Sequence, residues 1–456
     1  MKMLLYNVRL PLTDEARLYT AVAEEGVWSS VEPQSGAVMV AGSIPLDEWK
    51  PDAYAQADEI VIDVRENMLL PGLVDAHMHL DKSFTLPRVG NESGTLEEAV
   101  RNYAAASPSF TKEEIKARIT RAAMQAISFG TSAIRTHLDF NVKAGRDVAL
   151  RTIEAALEVK EALAPYVTLQ LFPMCPYNQL SSAEMEVAEE AIRMGVDGLG
   201  GAPHLSSTQE EDIDAIFRLA ERYGRPIDLH TDESDDPNIR TVSHIAKRTM
   251  EYGFTGRVTV GHLCSLAAMP DEVAGHLIGR MAEAGLGAVT LPGANLYLQG
   301  RRDGFPVRRG VTRVKELLAA GIPLAAASDN IHDPFHPFGR GDLVLIGLVT
   351  AYAAHMGSPS DLRTLLRMIT DIPAAVLGLT DYGVKAGNKA DFVIFDGRSP
   401  EELFTELPER RWVYRGGRWL KIAASRAGWN DSALSFIWDS VTEAVSFGGS
   451  RRTLKV

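Results

Sequence analysis

A recurring rhythm limits the possible folds of this chain more than any single motif. Between residues 69 and 329 a short apolar, β-branched segment is followed, again and again, by a long amphipathic one. Candidate strands fall at 69–79, 132–139, 167–173, 196–202, 226–231, 257–262, 286–291 and 322–329. Helical periodicity fills the gaps at 112–129, 148–163, 183–194, 210–223, 242–252, 270–284 and 312–320. Gly130, Gly195, Gly224, Gly253, Gly285 and Gly321 stand where these helices must stop, the position at which a left-handed residue is favoured. Eight strands alternating with helices specify a parallel sheet, and its closed form is a (β/α)8 TIM barrel. An open doubly wound sheet is the alternative. It would place a glycine-rich phosphate loop after the first strand, where this chain reads His77-Met78-His79.

The two ends follow a different pattern. Strand-like pieces at 4–10, 37–41 and 59–63 precede the alternation, and others at 390–396 and 411–420 follow it, the last folded around Gly416-Gly417. The expected organisation is a small composite β-sandwich from 1–67 and 385–422, a barrel over 68–384, and a C-terminal extension over 423–456.

Bulk properties narrow the function class. The formal net charge of −13 disfavours nucleic acid and anionic membranes as partners. No stretch reaches the roughly 18–20 apolar residues of a membrane helix, and Asn7 and Arg9 interrupt the apolar start. Cys175 and Cys264 are the only cysteines, too few for a disulfide framework, so the cytoplasm is the expected compartment. A soluble enzyme acting on a small molecule fits these limits.

Chemistry-bearing residues gather at the ends of predicted strands one, five, six and eight. Barrel enzymes build their sites on that C-terminal face. His77 and His79 are two apart, so on an extended strand both imidazoles point the same way. Strand five runs into His230 and, three residues on, Glu233; strand six ends at His262; strand eight runs into Asp329. By itself the pair reads equally well as two ordinary histidines at a strand end. Four histidines and an aspartate on one rim form a set of donors suited to zinc or ferrous iron.

Six segments together carry a resemblance. They are Asp75-Ala-His-Met-His-Leu-Asp-Lys82, Arg135-Thr-His-Leu-Asp139, Asp228-Leu-His-Thr-Asp-Glu233, Asn295-Leu-Tyr-Leu-Gln-Gly-Arg301, 308–317, and Ser328-Asp-Asn-Ile-His-Asp-Pro-Phe-His-Pro-Phe-Gly339. The pattern resembles the amidohydrolase superfamily, and within it the cytosine-deaminase-like branch. The resemblance implies one divalent metal, Zn2+ or Fe2+, on His77, His79, His230 and Asp329. It implies water activated at that metal, Asp329 taking a proton, Glu233 shuttling a proton to the ring nitrogen, and His262 stabilising the tetrahedral intermediate. The expected reaction is deamination of an amino-substituted nitrogen heterocycle, cytosine or a related pyrimidine, with water as the second reactant. Relatives are commonly multimers, so a homo-oligomer is expected. Binuclear members bridge two metals through a lysine on strand four; 196–204 has none, and His204 reads as a loop or pocket residue.

The match departs from cytosine deaminases around the substrate. The place of their strand-three glutamine falls on Pro176 or Tyr177, with Asn178 or Gln179 nearby as substitutes. Their aspartate after the strand-eight ligand is Asn330 here, which exchanges an acceptor for a donor and acceptor. Gln299 and Arg301 are expected over the substrate, and Phe335 replaces a family tryptophan that stacks on the ring. Asp81-Lys-Ser-Phe-Thr85 and the segments around Asp329 and Phe338 also look like isopropylammelide amidohydrolases. Those lack the glutamate at 233. The competing expectation is therefore hydrolysis of a cyclic amide or an N-alkylamino group on a triazine-like ring. A non-catalytic scaffold of the same fold is the remote alternative, and no ligand position is missing to favour it.

Overall fold

The computed structural model describes residues 2–54, 57–409 and 411–422, with 432, 434 and 436. The expected extension 423–456 lies almost wholly outside the described residues. The chain divides into two compact units. One takes in residues 73–357 and 367–380, the other the chain up to Gly72, 358–366 and the chain from Asp381.

The larger unit holds eight parallel strands in sequence order. They are β1 (Leu73–Met78), β2 (Thr131–Asp139), β3 (Thr168–Met174), β4 (Leu199–Gly201), β5 (Ile227–Thr231), β6 (Val258–His262), β7 (Gly287–Thr290) and β8 (Leu324–Ala326). A parallel bridge between Met78 and Asp329 joins the two ends of the sheet. The fold is thus a (β/α)8 barrel. Its strands are apolar on both faces because the helices cover one side and the barrel core the other: β1, β5, β6, β7 and β8 are buried at every position.

The helices start and stop where local chemistry dictates. Thr111 with Glu114 and Ser181 with Glu184 form reciprocal capping boxes that satisfy the first free N–H groups of helices Lys112–Ser128 and Ser182–Met194. All six glycines expected to close helices have positive φ.

Two strand assignments change. The expected strand 69–79 is two strands: Met68–Pro71 belongs to the other sheet, and the chain passes through Gly72 into β1. The apolar run is continuous because both pieces are buried, so hydropathy gave no mark of the break. The expected strand 322–329 ends at Ala326, since Asp329 leaves the extended region at φ 62°.

The second unit is one nine-stranded sheet. Its order runs from the hairpin strands Arg418–Lys421 and Arg411–Arg415 through Phe392–Phe395, Met68–Pro71, Lys2–Leu10 and Asp14–Glu24 to Val27–Gln34, while Glu59–Asp63 also pairs with Lys2–Leu10 and Ile44–Pro45 pairs with Glu59–Asp63. The sheet folds on itself, because Trp28 on the last strand packs 5.3 Å from Phe392 near the other end. Segments from both ends of the chain share this one sheet, as expected. Residues 37–41 form no strand; the sequence reading missed Asp14–Glu24 and Val27–Gln34, whose outer faces carry Glu and Arg and weaken the apolar alternation. Among the described residues no helix is long and apolar enough to cross a membrane.

Candidate metal centre

β1, β5, β6 and the turn after β8 bring His77, His79, His230, His262 and Asp329 to one end of the barrel, all buried. His230 Nε2 lies 3.2 Å from His77 Nε2 and 3.0 Å from His79 Nε2. Asp329 Oδ1 lies 3.3 Å from His79 Nε2 and 3.7 Å from His77 Nε2, and it has no hydrogen-bond partner. His79 Nδ1 donates to the carbonyl of His137 at 3.0 Å. A carbonyl only accepts, so the neutral ring turns the lone pair of its Nε2 toward the cluster. Burial drives the pKa of His77, His79 and His230 well below the ordinary histidine value, which keeps these rings neutral.

Neutral nitrogens and an unpartnered carboxylate oxygen facing each other call for a cation among them. Four ligands at the bond lengths of a tetrahedral zinc ion stand about 3.3 Å apart. The distances above lie near that value, and two overlapping sets could each hold an ion: His77, His79 and Asp329, and His77, His137 and His230.

The backbone is bent to make this cluster. His262 and Asp329 both lie in the left-handed region, at φ 67° and 62°. Each such residue costs on the order of 1–3 kcal/mol and persists where the surroundings over-determine it. Space is made as well. A Cβ on Gly261 would come within 3.2 Å of the His77 ring, a tight contact that glycine avoids beside β6.

Glu233 and His262 stand beside the cluster. Asn295 Nδ2 donates to His262 Nδ1 at 3.0 Å, and Glu233 Oε1 lies 3.3 Å from the same nitrogen. With Nδ1 accepting, the neutral His262 carries its hydrogen on Nε2, an atom with no protein partner. Burial, with the Asp329 charge nearby, pushes the Glu233 carboxyl well above the usual range. Burial also raises Asp329.

A cavity of about 350 Å³ opens onto the centre. His79, His230, Glu233, His262 and Asp329 line it, as do Gln179, Asn330 and Phe335. Asn330 Nδ2 donates to Asp333 Oδ2 at 2.7 Å, leaving the Asn330 amide oxygen unspoken for by that bond. The other three expected substrate residues stand elsewhere. Tyr177 is buried in a short turn and donates its hydroxyl to the Pro173 carbonyl at 3.3 Å. Gln299 ends helix Pro292–Leu298 and lies outside the lining. Arg301 is exposed, with its guanidinium 4.6 Å from the Tyr297 ring.

The structure adds residues that sequence reasoning left without a role. His137, at the end of β2, has its ring 4.1 Å from that of His77 and offers a further donor near His77 and His230. It was visible as the histidine of Arg135-Thr-His-Leu-Asp139. Beneath it Arg135 pairs with Asp228 at 2.7 Å, fully buried. Burial alone would raise Asp228, but His137 and Arg135 hold it below the ordinary carboxylate value. Lys82 is also buried, lines the cavity, and sits 4.8 Å from the Phe335 ring and 3.7 Å from Asp139. Leu96, Val100 and Tyr103 supply an apolar wall from helix Leu96–Ala106.

The family model described as "Amidohydrolase family" matches residues 92–420. The chain belongs to the amidohydrolase family. Among curated relatives of this amidohydrolase, a pterin deaminase of Rhizobium rhizogenes is 34% identical over 396 residues, 85% of this chain and 89% of that one. An N-isopropylammelide isopropyl amidohydrolase of Pseudomonas sp. is 31% identical over 366 residues, 78% of this chain and 87% of that one. The crystal structure of 5-methylcytosine deaminase from Klebsiella pneumoniae, liganded with 5-fluorocytosine, superposes with a TM-score of 0.84 at 28% identity, covering 95% of this chain and 100% of that one. The family is metal-dependent, and these amidohydrolases act on C–N bonds of heterocycles.

Proposed function

We propose that this amidohydrolase is a hydrolytic deaminase of an amino-substituted nitrogen heterocycle, a pyrimidine ring alone or fused as in a pterin. The observation that carries this reading is Glu233: a buried carboxyl beside His262 and Asp329 on the cavity wall, its pKa pushed up by burial. Loss of ammonia from an amidine carbon needs a proton delivered to the adjacent ring nitrogen, and such an acid supplies it.

His77, His79, His230 and Asp329 would hold one zinc or ferrous ion. Such an ion supplies Lewis acidity, lowering the pKa of water toward neutrality. Asp329 receives the proton that the attacking water gives up. Glu233 gives its proton to the ring nitrogen; the proton held on Asp329 then passes to the amine, the C–N bond breaks to release ammonia, and the Glu233 carboxylate takes up the proton of the new hydroxyl as the carbonyl forms. His262 Nε2–H is free to donate to the oxygen that develops negative charge at the tetrahedral carbon. Phe335 and Asn330 flank the ring, the first by stacking and the second by its amide.

A second reading follows from the apolar wall at Leu96, Val100, Leu205 and Leu298 and the ammelide amidohydrolase relative: release of an alkylamine from a triazine. Metal-replete protein incubated with pterin, cytosine, 5-methylcytosine, isocytosine and an N-alkylaminotriazine tests both. Ammonia from an amino ring supports the deaminase. Alkylamine as the sole amine released replaces it with the second reading, and no amine from any ring rejects both.

A further inference from the structure

His204 is a buried histidine that neither the metal set nor the proposed chemistry uses. It lies in the turn Pro203–Leu205 just past β4. Its ring lines the cavity with His230, Glu233 and Asp329, yet none of the ligand clusters includes it. His204 Nδ1 is 3.1 Å from the backbone carbonyl of His230. That oxygen can only accept, so Nδ1 carries the hydrogen, and in the neutral ring Nε2 is a bare acceptor. Nε2 has no protein partner. Unpartnered buried acceptors are rare and call for an explanation. Nearby, Gln179 Nε2 donates to Ser206 Oγ at 2.9 Å, and Asp212 Oδ1 accepts from the Asn178 backbone N–H at 3.3 Å. Those groups already have partners within the wall.

We propose that His204 Nε2 accepts a hydrogen bond from an N–H of the substrate ring and so selects oxo-amino heterocycles that carry a lactam N–H. The proposal rests on the deaminase reading and names the substrate class at the same site. The His230 carbonyl fixes the ring's tautomer and angle, so the acceptor is preset before substrate arrives. A ring alkylated at that nitrogen loses the bond and leaves Nε2 buried and unpaired, which is the kind of mismatch that discriminates strongly.

The test compares matched pairs, pterin with 3-methylpterin and cytosine with 1-methylcytosine, in wild type, His204→Leu and His204→Gln. Elemental analysis of metal content accompanies each. Wild type is expected to favour the N–H member of one pair by about tenfold to a hundredfold in kcat/KM. His204→Leu should slow that member by a similar factor, chiefly through KM, with little effect on the methylated one. His204→Gln, which retains a side-chain acceptor, should recover part of the preference. Equal slowing of both members, an unchanged preference in His204→Leu, or loss of metal in both variants would overturn the proposal. Direct titration with the deaminated lactams lumazine and uracil and their N-methyl forms separates the two readings. If no ring releases ammonia, the deaminase reading fails, while weaker lactam binding in His204→Leu still supports the role of His204. Binding of no lactam overturns it.

Discussion

The backbone N–H of Asp329 donates to the carbonyl of His77 at 2.9 Å, and the N–H of His79 donates back to the carbonyl of Asp329 at 3.3 Å. The first and last strands of the barrel therefore meet at three candidate ligands of one ion. Buried Asp75 ties the same seam, accepting from the Ser328 N–H at 3.2 Å.

Metal removal should loosen this seam. An ion bound only by the folded state adds stability that grows with its concentration over Kd, about 2.7 kcal/mol at a hundredfold excess. Chelator-treated protein should melt at a lower temperature, and added Zn2+ should restore it. His230→Ala should abolish the metal-dependent shift in Tm.

Glu233→Gln keeps the shape of the side chain and removes the acid. We expect kcat for ammonia release to fall about a hundredfold to ten-thousandfold, with metal content and KM retained. Elemental analysis and steady-state kinetics check the two halves separately. A KM effect alone would move Glu233 from proton transfer to binding.

Arg135→Met should destabilise the barrel by about 3–5 kcal/mol, because it leaves the buried Asp228 carboxylate without its guanidinium, with only the His137 ring beside it. Chemical denaturation measures this. The double variant Arg135→Met/Asp228→Leu should recover much of the loss.

Burial raises Asp333 from 3.8 to about 7. Below pH 4 the carboxyl is protonated in both folded and unfolded chains. Between about 4 and 7 the unfolded chain releases the proton while the native one holds it, so this group lowers stability as pH rises across that window. Above about 7 its contribution is level. Asp333→Asn should flatten that part of the Tm–pH profile, although buried Asp75, also raised to about 7, leaves a residual slope.

Much of this was legible in the sequence because it rests on periodicity. Strands β2 to β7 sit within a few residues of the apolar runs that marked them, and the site residues fall at or just past the C-terminal ends of β1, β5, β6 and β8. Orientation inside irregular turns was not legible. Tyr177, Asn178 and Gln179 share one short turn; of these, Gln179 is in the cavity lining and Tyr177 is turned inward to Pro173. Gln299 and Arg301 follow a helix end, where one residue's change of φ redirects the chain. Lys82 and His137 stood within recognised motifs, but their approach to Phe335 and His77 depends on strands far apart in sequence.

We infer one catalytic ion at the seam of the barrel, and His137 offers the rival arrangement, since His77, His137 and His230 form a second set of donors. The most direct measurement is titration of metal-free protein with Zn2+ or Fe2+ while ammonia release from an amino-heterocycle is followed. We expect no activity without metal and saturation at one ion per chain. Activity in the metal-free protein, or saturation only at two ions per chain, would contradict it.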